Sequence, residues 1–225
     1  MGPRVALVLA VLAATAHAAP GKPWSITPPA GWADHSPLAS QETSVDEMKT
    51  KLAAVGGSYD LALYETDPEN RLTVLYMVVP GEAASGASRI RNWESGARKG
   101  VNGTAKEISY KKTETDQLVV VDQVNQSAGK TFHSVRLIGL DAKHALVGVQ
   151  ASCAGPETAC GPALVSLRLD TSTFGALKKT DGNAIGDDEA SQISYRVGFM
   201  VGVAFVLIVV VAGIQFVRRR SRPTT

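Results

Sequence analysis

The stretch Leu72-Thr73-Val74-Leu75-Tyr76-Met77-Val78-Val79 is apolar at all but one position and is closed by Pro80-Gly81. A strand with one wet face alternates polar and apolar side chains; a strand covered on both faces does not. The run has the length of a strand and ends on two residues that break regular structure. It predicts a central strand, which needs partners on both edges and cover on both faces.

Both flanks carry signals for such elements. Ser44-Val45-Asp46-Glu47 is a capping box, in which the Ser hydroxyl and the Glu carboxylate each satisfy an orphan main-chain donor. Val45, Met48, Leu52 and Val55 follow at helical spacing, and Gly56-Gly57 stops the helix. Residues 59–64 alternate as a strand, and Asp67-Pro68-Glu69-Asn70 turns the chain into the apolar run. Ile90, Trp93 and Ala97 mark one face of a second helix, with Arg98 and Lys99 in its last turn, where the helix dipole favours cations. Residues 106–112, 117–125, 131–140 and 144–153 carry β-branched or alternating side chains. A tight hairpin about Asp141-Ala142 would set His133 opposite Gln150, and a last helix is expected over 162–169. Strand hairpins with helices at intervals predict an α+β fold with a largely antiparallel sheet.

The opening Trp24-Ser25-Ile26-Thr27-Pro28-Pro29-Ala30-Gly31-Trp32 holds the P-x-G-W start of the PsbP/Mog1-like superfamily. With the element order, residues 24–170 resemble that superfamily. The resemblance implies an α/β/α-type sandwich with a mostly antiparallel sheet, and a binding or assembly role. It carries over no site residue, because fold likeness alone licenses none.

The two ends of the chain speak to location. Residues 1–19 read as a secretory signal peptide: Arg4 is the positive start, 5–14 are apolar, and Ala16-His17-Ala18 is the cleavage signal. Residues 197–217 are an unbroken apolar run in which only Gln215 is strongly polar, closed by Arg218-Arg219-Arg220-Ser221-Arg222. About 20 uncharged residues cross a bilayer core as one transmembrane helix, and the arginines are expected to stay cytoplasmic. The extracytoplasmic domain is then expected at 20–170, a flexible tether at 171–196 and a basic tail at 218–225. The domain would lie outside the cytoplasmic membrane, in a periplasm or in the exterior, with the lipid bilayer as a partner. Gly198 and Gly202 form a G-x-x-x-G, a candidate contact for a homodimer or protein partner through the span.

Outside the signal and the tail the charge is not basic. Arg4 and the four tail arginines belong to the total of 23 cations, which leaves 18 against 21 carboxylates. The electrostatic footprint of a nucleic-acid binder is missing. Cys153 and Cys160 both fall on the oxidising side, and an even count there favours a structural disulfide. So short a loop would contribute about 2.5 kcal/mol in the chain-entropy model.

Catalytic signatures are absent: there is no G-x-S-x-G, H-E-x-x-H, Walker loop or G-x-G-x-x-G. After cleavage three histidines remain, His35, His133 and His144. Ser134 beside His133 invites a nucleophile reading, but neighbours on a strand point to opposite faces. Glu65, Asp67 and Glu69 could hold calcium, although they lack the ligand spacing of a known loop and a solvated turn explains them. Arg89, Arg91 and Arg98 flank the Ile90/Trp93/Ala97 stripe, as stems covering its edge or as an anion site. Trp24 and Trp32 read as core anchors. Asn102-Gly103-Thr104 and Asn125-Gln126-Ser127 are glycosylation sequons in a host that uses them.

The leading expectation is a membrane-anchored, non-catalytic binding or assembly module with no cofactor, metal or catalytic residue assigned. The alternatives are an extracytoplasmic hydrolase using Ser134, His133 or His35, and a structural subunit of a membrane complex.

Overall fold

The computed structural model describes residues 22–177 apart from 42, 68, 82–85, 104 and 128. In chain order the elements are β1 (Trp24–Ser25), β2 (Ala33–Asp34), α1 (Ser36–Ala39), α2 (Thr43–Ala54), β3 (Ser58–Asp67) and β4 (Asn70–Val79). They continue with α3 (Gly86–Asn102), β5 (Lys106–Glu114), β6 (Leu118–Ser127), β7 (Lys130–Leu140), β8 (Leu146–Ala154), α4 (Glu157–Val165) and β9 (Arg168–Leu169).

Seven strands form one sheet in the order β2-β3-β4-β8-β7-β6-β5, antiparallel throughout. A small second sheet pairs β1 with β9. The apolar run is β4, third in the order, and it pairs with β3 on one edge and β8 on the other. Helix α3 carries the chain from β4 to the far edge, and the meander β5–β8 then returns until β8 lies against β4.

Each face of the sheet has its own core. On one, Val45 and Leu52 of α2 and Ile90 and Trp93 of α3 pack over Leu75, Met77, Val121 and Ile138. On the other, Trp24, Ile26 and the α4 residues Cys160 and Leu164 pack over Leu72, Val74, Val149 and Ala151. The fold is thus sheet-rich α+β, with four helices among the described residues.

Local chemistry explains the joints. The chain leaves α2 through Gly56 at φ 76°, the left-handed position that a helix end favours for glycine. Gly57 N–H then donates to the Leu52 carbonyl at 2.8 Å. Helix α2 begins at Thr43, one residue before the expected cap, and the Ser44 side chain lies outside the described ones. Helix α4 spans Glu157–Val165 instead of 162–169. Pro156 occupies the N-cap, and Pro162, where the helix was expected to begin, sits inside it. There it removes one main-chain hydrogen bond.

The β7–β8 register departs from expectation. Cys153, not Gln150, lies opposite His133, and Arg136 lies opposite Gln150. The expected two-residue turn is a longer loop that Asp141 organises: its carboxylate accepts from the main-chain N–H of Lys143 at 2.9 Å and of Ala145 at 2.8 Å. His144 in this loop takes φ 62°. A register shift of an odd number of residues moves every side chain to the other face.

Residues 171–177, assigned above to the tether, run across the end of the sheet. Gly175 N–H donates to the Leu140 carbonyl at 3.1 Å, Leu177 N–H to the Asp116 carbonyl at 2.6 Å, and Gln117 Nε2 to the Phe174 carbonyl at 3.2 Å. The Phe174 ring rests on Gly139, where a Cβ would stand 2.5 Å from it and 2.7 Å from the Gln117 carbonyl oxygen. Among the described residues no helix is long and apolar enough to cross a membrane. Residues 1–19, the 197–217 run with Gly198 and Gly202, and the 218–225 tail lie outside the described residues.

Gly139→Ala is expected to displace this strap, lowering stability by about 1–3 kcal/mol as overpacking does. A urea titration followed by tryptophan fluorescence reads the change, and an unchanged midpoint would show that the strap carries no stability.

Candidate functional site

The α3-facing side of β6, β7 and β8 is where apolar packing gives way to polar side chains. Alternation and register bring Gln123, Arg136 and Gln150 to that side, each at most 2 % exposed. Arg136 Nε donates to Gln150 Oε1 and its Nη2 to Gln123 Oε1, both at 2.8 Å. Gln150 Nε2 continues to Ser152 Oγ at 3.1 Å. Gln123 Nε2 continues to Asn125 Oδ1 at 3.0 Å and Glu107 Oε2 at 3.2 Å. Neutral amides therefore stand between a wholly buried guanidinium and the nearest carboxylates.

Burial disfavours the charged form and pushes the Arg136 pKa down to about 10, against the pull of Tyr110, Glu94 and Glu107. It remains a cation at neutral pH. Farther out, Arg98 grips Glu107 with two bonds of 2.8 and 2.7 Å and lies over the Tyr110 ring at 4.1 Å. The Tyr110 hydroxyl donates to Glu94, which also holds Lys112 at 2.9 Å. Lys112 reaches Glu114 at 2.9 Å as well. Three cations (Arg98, Lys112, Arg136) thus face three carboxylates (Glu94, Glu107, Glu114), and the cluster is neutral as a whole. Two buried donors, Arg136 Nη1 and Asn125 Nδ2, have no acceptor among the described residues. An oxygen acceptor, from water or from an oxygen-bearing small molecule, is the chemistry that would satisfy them.

Ser134 faces this network and donates to the Gln123 carbonyl at 3.2 Å. His133 points to the other face, where its Nε2 lies 2.8 Å from Asp122 and its Nδ1 3.7 Å from Glu157 at the start of α4. The serine and the imidazole are therefore separated by the sheet. His35 N–H pairs with the Leu63 carbonyl at 2.8 Å, and His144 sits in the β7–β8 loop.

The remaining residues singled out from sequence are mostly structural. Glu65 pairs with Arg71 at 2.8 Å and Glu69 with Lys130 at 3.2 Å. Asp67 holds its turn through the Asn70 side chain and the Glu69 and Asn70 main-chain N–H groups, which lower its pKa. No group of carboxylates, histidines and cysteines among the described residues could hold a metal ion. Arg89 does not cover an edge: it is fully buried, lies against Gly81 and donates to the His144 carbonyl. Trp24 is a core residue. Asn125, an acceptor in the network, is fully buried and closed to glycosylation in the folded domain. The Asn102 side chain is outside the described ones. The Cys153 and Cys160 sulfurs lie at disulfide distance, 2.05 Å, with Cα atoms 5.6 Å apart.

Sequence reasoning missed Arg136, Gln123 and Gln150. The available signal was a cation and two amides at inward positions of strands otherwise rich in valine and leucine. The misplaced β7–β8 turn hid it by sending Gln150 to the wrong face. Comparison with protein-family models finds no match, and comparison with curated proteins finds none.

Gln123→Leu removes one of the two amide acceptors of a buried cation and is expected to cost about 3 kcal/mol. The same change made in an Arg136→Met background should cost at least about 1 kcal/mol less, the coupling expected of residues in contact. Urea denaturation of the four proteins checks this, and additive losses would show that the bond contributes nothing.

Tyr59, Tyr64, Tyr76 and Tyr110 all have raised pKa values, with burial the largest cause. A raised folded-state value stabilises below the unfolded value and is lost above it, so stability should fall as pH climbs past about 10. Arg136 acts in the opposite sense over the same window, one group against four. Denaturation midpoints at increasing alkaline pH should drop, and Tyr110→Phe should make the drop shallower.

Proposed function

We propose that this chain is a membrane-anchored binding or assembly module that performs no catalysis, working outside the cytoplasmic membrane. A signal peptide at 1–19 is removed, a single helix at 197–217 crosses the bilayer, and the tail at 218–225 remains cytoplasmic. The domain is a PsbP/Mog1-like α/β/α sandwich closed by the Cys153–Cys160 disulfide. Gly198 and Gly202 bring two spans together.

The observation that carries this reading is how the chemistry-bearing residues are used. Arg98, Glu107, Glu94, Lys112 and Tyr110 are engaged with one another. Ser134 donates to a main-chain carbonyl on the face opposite His133. These groups brace the sheet and α3 rather than converging on one reacting atom, which is the arrangement expected of a scaffold for recognition. The chain leaves the described domain at Leu177, beside the β5–β6 turn.

Two measurements test the reading. The full chain should resist alkaline carbonate extraction from membranes, and deleting 197–225 should release the domain into the soluble extracytoplasmic fraction. Release of the full chain by carbonate would overturn the anchor. A fluorophosphonate probe should leave Ser134 unlabelled, and stoichiometric labelling there would replace the binding role with a hydrolase.

A further inference from the structure

We propose that the polar interior between α3 and the sheet is a binding site for a small carboxylate, with Arg136 as the residue that holds it. The proposal rests on the binding reading above and names its ligand class.

The sheet gives a large share of this side to polar groups. Nine buried side chains among the described residues are polar or charged, and seven of them lie here. They fall in three adjacent rows of the register. Arg136 stands opposite Gln150. The next row runs Gln123, Ser134, Ser152 and Thr73 across β6, β7, β8 and β4. Asn125 stands in the row after that, opposite Phe132. In the other direction the row beyond Arg136 is apolar, with Val119, Ile138, Gly148 and Met77. A space that only needed filling would continue that apolar packing, and serines and a threonine occupy less volume than the side chains they replace. Buried polar groups gathered in one place, with atoms left unpaired among them, are the mark of a ligand site.

The unpaired atoms name the chemistry of the ligand. Arg136 is wholly buried, and its partners are the oxygens of two neutral amides. Its Nη1 has no acceptor among the described residues, and neither has Asn125 Nδ2. Both residues bond to the Gln123 side chain, Arg136 to its oxygen and Asn125 to its nitrogen. The atoms left over in the network are thus donors. A water would bring two further donors to such a place, whereas a carboxylate brings acceptors alone and matches the fork of a guanidinium. It also supplies the counter-ion that a buried cation lacks when only amides touch it.

The carboxylates of the protein do not fill this role. Glu107 takes Arg98 and Gln123, and Glu94 takes Lys112 and Tyr110. Glu107 meets Gln123 on its inner side and the exposed Arg98 on its outer side, so this ion pair is the boundary that a ligand crosses. Enclosure under a helix restricts the ligand to a few atoms, which makes acetate the probe.

The test uses the full chain in detergent. Equilibrium dialysis of radiolabelled acetate, with sodium chloride holding the ionic strength constant, should show one saturable site per chain. Acetamide, of the same size without the charge, should not displace it. Arg136→Met should abolish the uptake. Asn125→Asp keeps the acceptor that Gln123 uses and replaces the free donor by a carboxylate oxygen, so it should weaken acetate at least about tenfold, as loss of a hydrogen bond to a charged group does. Tryptophan fluorescence checks the fold of each variant, and the nearly isosteric Asn125→Asp decides if Arg136→Met does not fold. No saturable uptake, equal displacement by acetamide, or wild-type affinity in Asn125→Asp would overturn the site. Fluorophosphonate treatment of the same protein separates this site from the reading beneath it. Acetate uptake together with a labelled Ser134 sinks the non-catalytic role alone, and an unlabelled Ser134 without uptake sinks the site alone.

Discussion

The pairing of β4 with β8 is the contact on which the rest of the domain depends. Nine residue pairs, from Arg71↔Ala154 to Val79↔Leu146, join strands that are far apart in sequence. Without them the chain would be a hairpin and a separate meander, each with an open edge and an unfilled face. With them both strands become central, and two cores form where otherwise there would be two amphipathic surfaces. The loop between β4 and β5 must be long enough for the meander to double back, and α3 fills that length while roofing one of the cores.

The roof is not apolar throughout. Under its C-terminal half the sheet presents amides, hydroxyls and a guanidinium, which are expensive to dehydrate. They are tolerated because each is joined to the next: Arg136 to two glutamines, one glutamine to Ser152, the other to Asn125 and Glu107. A network of this kind contributes specificity when nearly all its members are partnered, because slipping a strand would strand a buried charge. Arg136 thus acts as a register pin for β6, β7 and β8. On the opposite side α4 packs on β8 and β7, and Phe174 of the strap rests on Gly139 of β7, so the same strands carry a polar network on one side and apolar packing on the other.

Much of the architecture was legible because it rests on local rules. The central strand at residues 72–79 announced itself by losing alternation, α2 by its glycine stop, α3 by the Ile90/Trp93/Ala97 stripe, and the meander by β-branched runs. Failures came where one local signal had two readings. Pro162 looked like a helix start, while the earlier Pro156 was the one used. Asp141-Ala142 looked like a two-residue turn, while the Asp141 carboxylate could gather a longer loop. The tether looked to begin at residue 171, because nothing local says that Phe174 will meet a glycine on a distant strand.

By itself, the sequence determined the long strands β3 to β8, the helices α2 and α3, their order and the mostly antiparallel character of the sheet, since periodicity, turn residues and breakers act within a few residues. It also determined the charge balance and which surfaces could be apolar. Only the tertiary structure decided that Arg136 faces Gln150, and which of the two faces His133 and Ser134 each serve. Those outcomes depend on register and on which helix reaches which strand. A single odd shift exchanges the two faces of a strand, so they are properties of pairing across the fold and are not written in any one segment.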